Sequence, residues 1–346
     1  MKTSSPLIRK ILVVNVNWLG DVIFSVPVFR ALKQHYPQAE VWCLAVPRVR
    51  EVLESCPFVD GIIVYDERGR DRGLLAKWRL VRRLRAADID LAFVLHRSWT
   101  RAFLVFLAGI PQRVGVNVKG RGGFLTCRVV PPPENLHRAD AYLAVLEGYG
   151  VPVTNRRYEL LVEPAAMAAV NRKLSSAGIT AQDKMVVVNP GGNWNLKRWP
   201  PEFFAQLIRR LVSELKVKVV LPGGVADRDM IVDIARNSAV DPLLLVGQTN
   251  LKELVALMRQ ATLVISADSG PLHVASAVGT CGIGIFGPTR PELTGPRGPG
   301  EVVILQKDVG CNRSACYNLA CPDNVCMKAV TVEEVVAAAK KMLSRR

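Results

Sequence analysis

The stretch Ile265-Ser266-Ala267-Asp268-Ser269-Gly270-Pro271-Leu272-His273 runs an apolar strand pattern straight into Asp-Ser-Gly-Pro and then into a helical pattern. Pro271 suits a first helical position, and Ser269 and Gly270 let the backbone approach a ligand closely. The helix over Pro271 to Val278 is expected to aim unpaired N–H groups and the positive end of its dipole outward, which is the build of a phosphate site. A second loop, Asn189-Pro190-Gly191-Gly192-Asn193-Trp194-Asn195-Leu196-Lys197-Arg198-Trp199-Pro200, closes the apolar run Met185 to Val188 and adds the cations Lys197 and Arg198. A pair of such loops implies a diphosphate ligand.

Around these loops apolar runs alternate with helical patterns. Ile11 to Val16, Val41 to Val46, Ile62 to Val64 and Leu91 to Leu95 form one series. Met185 to Val188, Val217 to Leu221, Leu243 to Val246, Leu263 to Ser266 and Gly282 to Phe286 form another. Strands that are apolar throughout and separated by amphipathic helices argue for parallel βαβ units with helices on both faces. Pro152, Pro164 and Gly178 flank a helical segment, Ala165 to Ala177, where the series restarts. The expected division is therefore residues 1–165, an acceptor-binding half, and residues 166–346, a donor-binding half, with a cleft between two similar α/β domains.

The net charge of +16 is spread over both halves and peaks between Arg68 and Arg85, where Asp71 is the lone acid among eight cations. Leu74, Trp78 and Val81 recur there at helical spacing, so a basic amphipathic helix is expected with those three on its apolar face. Such a helix either covers a sheet with a solvated outer face or attracts anionic headgroups or a phosphorylated saccharide. Aromatics are only 6%, and no nucleic-acid-binding motif is present, so nucleic acid is not an expected partner. No apolar run reaches the roughly 20 residues that a bilayer requires. Arg9 and Lys10 precede Ile11 to Val16, but Asn15, Asn17 and Asp21 interrupt it, so we read a first core strand of a cytoplasmic protein and no secretion signal.

The Asp268-Ser269-Gly270-Pro271-x-His273 motif, Phe286-Gly287-Pro288-Thr289-x-Pro291, Lys197-Arg198-Trp199-Pro200 and the early Leu19-Gly20-Asp21-Val22 together resemble glycosyltransferase family 9, the ADP-heptose:lipopolysaccharide heptosyltransferases. The resemblance runs from about residue 10 to about residue 340. It implies a GT-B fold of two Rossmann-like, doubly wound parallel-sheet domains facing a cleft, with a terminal helix over residues 330–343 packing back on the first domain. It also implies an inverting transfer of L-glycero-D-manno-heptose from ADP-heptose, with no cofactor required, to the lipopolysaccharide inner core. The enzyme would then sit at the cytoplasmic face of the inner membrane, held to its anionic surface by electrostatics.

Residue by residue, Asp21 alone reads as a helix N-cap, whereas the resemblance makes it the general base that accepts a proton from the acceptor hydroxyl. Lys197, with the backbone N–H groups of Ser269 and Gly270, is expected to stabilise the charge developing on the leaving diphosphate. Arg198 either assists, stacks on Trp199 or faces solvent. Asp268, unwelcome beside a diphosphate, would accept hydrogen bonds from sugar hydroxyls, as the resemblance implies, or cap the helix at Pro271. His273 either is a buried, satisfied imidazole or reaches the donor. Asn189, Gly191, Gly192, Gly223 and Gly224 complete the donor set, with Met258 beside the base, and His96, Arg97 and Arg101 are the acceptor candidates.

No metal is expected in the reaction, because no metal-bridging Asp-x-Asp motif was recognised. Cys311, Cys316, Cys321 and Cys326 form a Cys-x4-Cys ladder that lies within zinc-ligand spacing but lacks the commoner Cys-x2-Cys pairs, leaving a structural cluster or free thiols open, the latter favoured. Cys43, Cys56, Cys127 and Cys281 read as buried small hydrophobes. Three competing functions remain open: a nucleotide-sugar 2-epimerase of the same fold, a non-catalytic basic protein that binds lipopolysaccharide or nucleic acid, and a metal-cluster protein built around the cysteine ladder.

Overall fold

A computed structural model of the chain describes residues 7–311, 316, 318, 321 and 323–345. Two compact units divide it, Met1–Tyr158 and Glu159–Arg346. The first contains a parallel sheet of β1 (Lys10–Val14), β2 (Glu40–Ala45), β3 (Gly61–Val64), β4 (Leu91–Val94), β5 (Gln112–Val116) and β6 (Cys127–Val129), ordered β3-β2-β1-β4-β5-β6. The second repeats the plan with β7 (Met185–Asn189), β8 (Lys218–Gly223), β9 (Leu243–Val246), β10 (Leu263–Ala267), β11 (Gly282–Ile285) and β12 (Val302–Leu305), ordered β12-β11-β10-β7-β8-β9. Each is the doubly wound order of a Rossmann unit, and the pair is the GT-B type.

Alternation within β1 shows why these strands are apolar at every position. Ile11 and Val13 pack with Phe29, Leu32 and Leu143 on one sheet face, while Leu12 and Val14 pack with Leu80, Leu84, Leu104 and Val105 on the other. The sequence reading missed β5, β6 and β12. Gln112-Arg113-Val-Gly-Val and the three-residue Cys127–Val129 carry polar residues, and β6 and β12 are edge strands that need bury less.

The helix Leu74–Ala86 forms where expected but turned about its axis. Ala76, Leu80, Val81 and Leu84 are its buried face, whereas Leu74 and Trp78, placed on the apolar face by spacing alone, are exposed. The reason is phase: Leu80, Val81 and Leu84 form the stripe that meets the sheet, and Leu74 and Trp78 fall outside it.

Helix Pro164–Ser176 packs on helix Leu251–Gln260 and so belongs with the second unit. Helix Val332–Leu343 opens with a capping box between Thr331 and Glu334 and buries Val335, Val336, Ala339 and Met342 with Phe204 and Leu207. The core of the second unit already covers its apolar stripe, so packing on the first unit is not needed to bury it. Trp199 ties this helix's approach to the loop that follows β7. It is 1% exposed, donates from Nε1 to the Val330 carbonyl at 2.9 Å and meets Phe204 edge-on at 5.0 Å. Trp199→Ala is expected to cost about 3–5 kcal/mol in urea unfolding, the range for removing a buried aromatic. A loss below about 1 kcal/mol would show that the site collapses around the gap.

Candidate active site

In a doubly wound sheet ligands settle beyond the carboxyl ends of the strands where the order reverses. In the second unit that point lies between β7 and β10, and the two loops leaving those strands are the pair singled out by the sequence. Lys197 Nζ donates to Asp268 Oδ2 at 2.6 Å, Thr289 Oγ1 donates to the same oxygen at 2.7 Å, and His273 Nε2 lies 3.6 Å from Asp268 Oδ1. Burial alone would raise the Asp268 pKa, but His273 and the Lys197 ammonium outweigh it and hold the carboxyl well below the usual carboxylate range. Asp268 is thus an ion-pair partner that fixes Lys197. It does not cap the following helix, Gly270–Ala277, whose N-cap is Ser269.

Ser269 makes no side-chain cap either. Its hydroxyl lies 2.9 Å from Ser266 Oγ and accepts from Asn189 Nδ2 at 3.3 Å, leaving the capping role unfilled at the helix start. Asn189, 3% exposed, also donates to Ser266 Oγ and to the Gly191 carbonyl, so it latches the two loops together. At Gly191 a Cβ would lie 2.9 Å from an Asp227 carboxylate oxygen, the end of a side chain that would have to turn aside. At Gly223 it would lie 2.4 Å from Ile231. Gly192 is half-buried and Gly224 exposed.

Arg198 neither stacks on Trp199 nor faces water alone. Its Nε donates to the Gly192 carbonyl at 2.9 Å and a terminal nitrogen lies 3.7 Å from Asp227, which ties the loop to the Gly223-Gly224 turn. Met258 is wholly buried and has no surface to offer an adenine, which corrects its assignment to the donor set. Its helical register turns the thioether into the core, a choice that spacing alone did not reveal. Thr289, and Trp194, whose ring lies 5.6 Å from Lys197 Nζ, were not singled out as site residues. Both nonetheless stand inside stretches that the sequence marks, Thr289 in Phe286 to Pro291 and Trp194 in Asn189 to Pro200.

In the first unit the strand order reverses between β1 and β4. Asp21 follows β1 in the first turn of helix Leu19–His35, whose N-cap is Trp18, so Asp21 is not a cap. Tyr142 Oη donates to Asp21 Oδ1 at 2.9 Å. Burial, with the Asp21 charge and this bond next, pushes the Tyr142 pKa well up, opposed by Arg138 and Arg97, so the phenol keeps its proton and donates it. Nothing in the sequence marked Tyr142, which lies 121 residues away.

His96 and Arg97 follow β4 at the same edge, and Arg97 is exposed. His96 Nδ1 accepts from the Ser98 amide at 3.0 Å. Burial, then Arg101 and Arg121, lower its pKa to about 4, so it is neutral at physiological pH. Arg101 does not face an acceptor. It is 1% exposed, donates to the Asn15 carbonyl at 2.8 Å and to Asn17 Oδ1 at 2.6 Å, and lies 3.4 Å from Glu67. With Arg48, which donates from Nε to the Asn17 carbonyl at 2.9 Å, it pins the loop that carries Asp21.

The low His96 and Asp268 values work in one direction. Each group binds its proton less readily when folded, so its stabilisation is present above its unfolded pKa and is lost as pH falls through the folded value. Urea midpoints are therefore expected to fall as pH drops from about 6.5 to 4, and less steeply in His96→Gln. A flat profile for the unmodified protein over that window would refute this assignment.

Bare Asp-x-Asp spacings do occur, at Asp88-Ile89-Asp90 and Asp227-Arg228-Asp229, which corrects the sequence reading. Asp90 accepts from the Arg9 and Lys10 amides, Asp88 lies 3.6 Å from Arg9, and Asp227 faces Arg198. Among the described residues no group of three or more His, Cys, Asp or Glu is arranged to hold a metal ion. Cys311 is exposed and Cys316, Cys321 and Cys326 are half-buried, without disulfides, while several residues between them lie outside those described. Cys43 and Cys56 are buried as expected, but Cys127 and Cys281 are only half-buried.

A family model described as glycosyltransferase family 9 (heptosyltransferase) matches residues 77–321. The chain belongs to glycosyltransferase family 9. This family 9 enzyme is 29% identical over 297 residues to lipopolysaccharide heptosyltransferase 2 of Salmonella typhimurium, covering 83% of this chain and 85% of that protein. The solved glycosyl transferase family 9 protein from Veillonella parvula superposes with a TM-score of 0.86 at 24% identity, covering 99% of each chain. The E. coli ADP-heptose lps heptosyltransferase II superposes with a TM-score of 0.79 at 24% identity, over 97% of this chain and 99% of that one. Family membership makes the chain a heptosyl-type glycosyltransferase. Among its described residues no helix is long and apolar enough to cross a membrane.

Proposed function

We propose that this enzyme transfers L-glycero-D-manno-heptose from ADP-heptose to the inner core of lipopolysaccharide, with inversion and without a metal, at the cytoplasmic face of the inner membrane. The observation that carries the reading is the half-buried Lys197 held by the buried Asp268 and Thr289 beside an uncapped helix start at a sheet's reversal point. It suits the diphosphate of a nucleotide sugar. The Salmonella relative, a lipopolysaccharide heptosyltransferase by name, supports the acceptor class.

In this reading the acceptor hydroxyl oxygen attacks the anomeric carbon of the heptose as the bond from that carbon to the diphosphate oxygen breaks. Asp21 takes the hydroxyl proton, and the bonding pair leaves with ADP, whose new charge is met by Lys197 and the N–H groups at the start of helix Gly270–Ala277. One displacement of this kind inverts the anomeric centre. The test is incubation of the protein with ADP-heptose, with and without core acceptor, following ADP release and the anomeric configuration of the product. Acceptor-dependent ADP release with inversion is the expected result. Consumption of the nucleotide sugar with no acceptor present would replace this reading by epimerisation.

A further inference from the structure

The turned phase of helix Leu74–Ala86 leaves Leu74 85%, Leu75 83% and Trp78 51% exposed. Scattered exposed apolar residues need no explanation, but adjacent leucines with a tryptophan one turn on form a patch. Around it Arg68, Arg70, Arg72, Arg79 and Arg82 are exposed, while Asp71 is buried and accepts from the Asp66 amide. Helix Trp99–Leu107 packs alongside on the same sheet face and begins with Trp99, 45% exposed and stacked on Phe103. Both helices follow strands of a parallel sheet, so both begin at its carboxyl edge, the edge that carries Asp21, His96 and Arg97.

We propose that this edge of the first unit docks on a bilayer containing anionic phospholipid, with Leu74, Leu75 and Trp78 inserted below the headgroups and the surrounding arginines on lipid phosphates. Charge complementarity selects the anionic surface, and long arginine stems reach headgroups while apolar neighbours sit deeper. The leucine pair selects a bilayer over a nucleic acid, whose backbone offers nothing for it to enter. The inference deepens the proposed function, since a lipid-anchored acceptor would arrive at the edge that bears the candidate base. The docking itself needs neither donor nor acceptor.

The test is sedimentation of the full chain with vesicles of phosphatidylglycerol and phosphatidylethanolamine against vesicles of phosphatidylcholine alone. Binding to the anionic vesicles only is expected. Leu74→Ser with Leu75→Ser keeps the charge and should weaken partitioning about tenfold or more, as loss of buried apolar surface requires. Arg79→Gln with Arg82→Gln should weaken it too and reduce its salt dependence. All four residues are exposed, and the serine variant should keep the circular dichroism of the parent and its rate on a water-soluble acceptor. In the otherwise unchanged protein, brominated lipid should quench an emission component that Trp78→Phe lacks. Equal partitioning of the serine variant, equal binding to neutral vesicles, or quenching unaffected by Trp78→Phe would each overturn the proposal.

Discussion

Lys197→Ala is expected to lower turnover about 10²–10³-fold, the usual cost of removing one fixed group that meets charge developing on a leaving atom. The Lys197 side chain is 23% exposed while that of Asp268 is 4% exposed, so the ammonium keeps some access to solvent while bound to the carboxylate. The same substitution strips a buried carboxylate of its cation, leaving Thr289 and His273 to hold it, and should cost about 2 kcal/mol of stability. These effects separate in the double variant. Lys197→Ala with Asp268→Asn removes the orphaned charge and should recover most of the stability while turnover stays low. If activity returns together with stability, Lys197 serves only to hold the loop, and its role at the leaving group is refuted.

Asp21→Asn should be the larger functional loss, about 10²–10⁴-fold in turnover, because an amide cannot take the acceptor's proton. Its carbonyl can still accept from Tyr142, so the fold of the loop should not change, nor should the affinity for donor, which the proposed reading assigns to residues of the other unit. Tyr142→Phe provides the comparison. It keeps the carboxylate and removes this one hydrogen bond, and about a tenfold loss is expected from a missing hydrogen bond to a charged group. Product-formation assays at saturating donor, with donor affinity measured separately by calorimetry, distinguish the cases. Asp21→Asn turning over at the parent rate would remove it as the base and require another acceptor of the proton.

Much of this protein is legible residue by residue because its strands are buried on both faces. Met185 to Val188 and Leu263 to Ser266 are apolar without interruption, and the Gly, Pro and Asp that follow them punctuate each strand end as strongly as any local signal can. The two loops that leave β7 and β10 were therefore readable, down to Lys197, Asp268 and Ser269, which the structure brings together there. Arg101 and Met258 were misread for one shared reason: each sits on a helix whose register, not its spacing, decides whether the side chain meets ligand or core. Leu74 and Trp78 show the converse, apolar residues that a periodic pattern would bury and the packed sheet leaves out.

Composition and punctuation by themselves determined two βαβ series, the loops at the carboxyl ends of their strands and the basic character of the first helix after β3, since these depend on neighbours within a few residues. Tertiary structure alone decided that Asp268 is a partner to Lys197 across 71 positions, that Tyr142 steadies Asp21 and that Arg101 is spent beneath the Asp21 loop. The physical reason is that a hydrogen bond requires about 3 Å between its atoms, and only the order in which strands lie side by side brings distant segments that close.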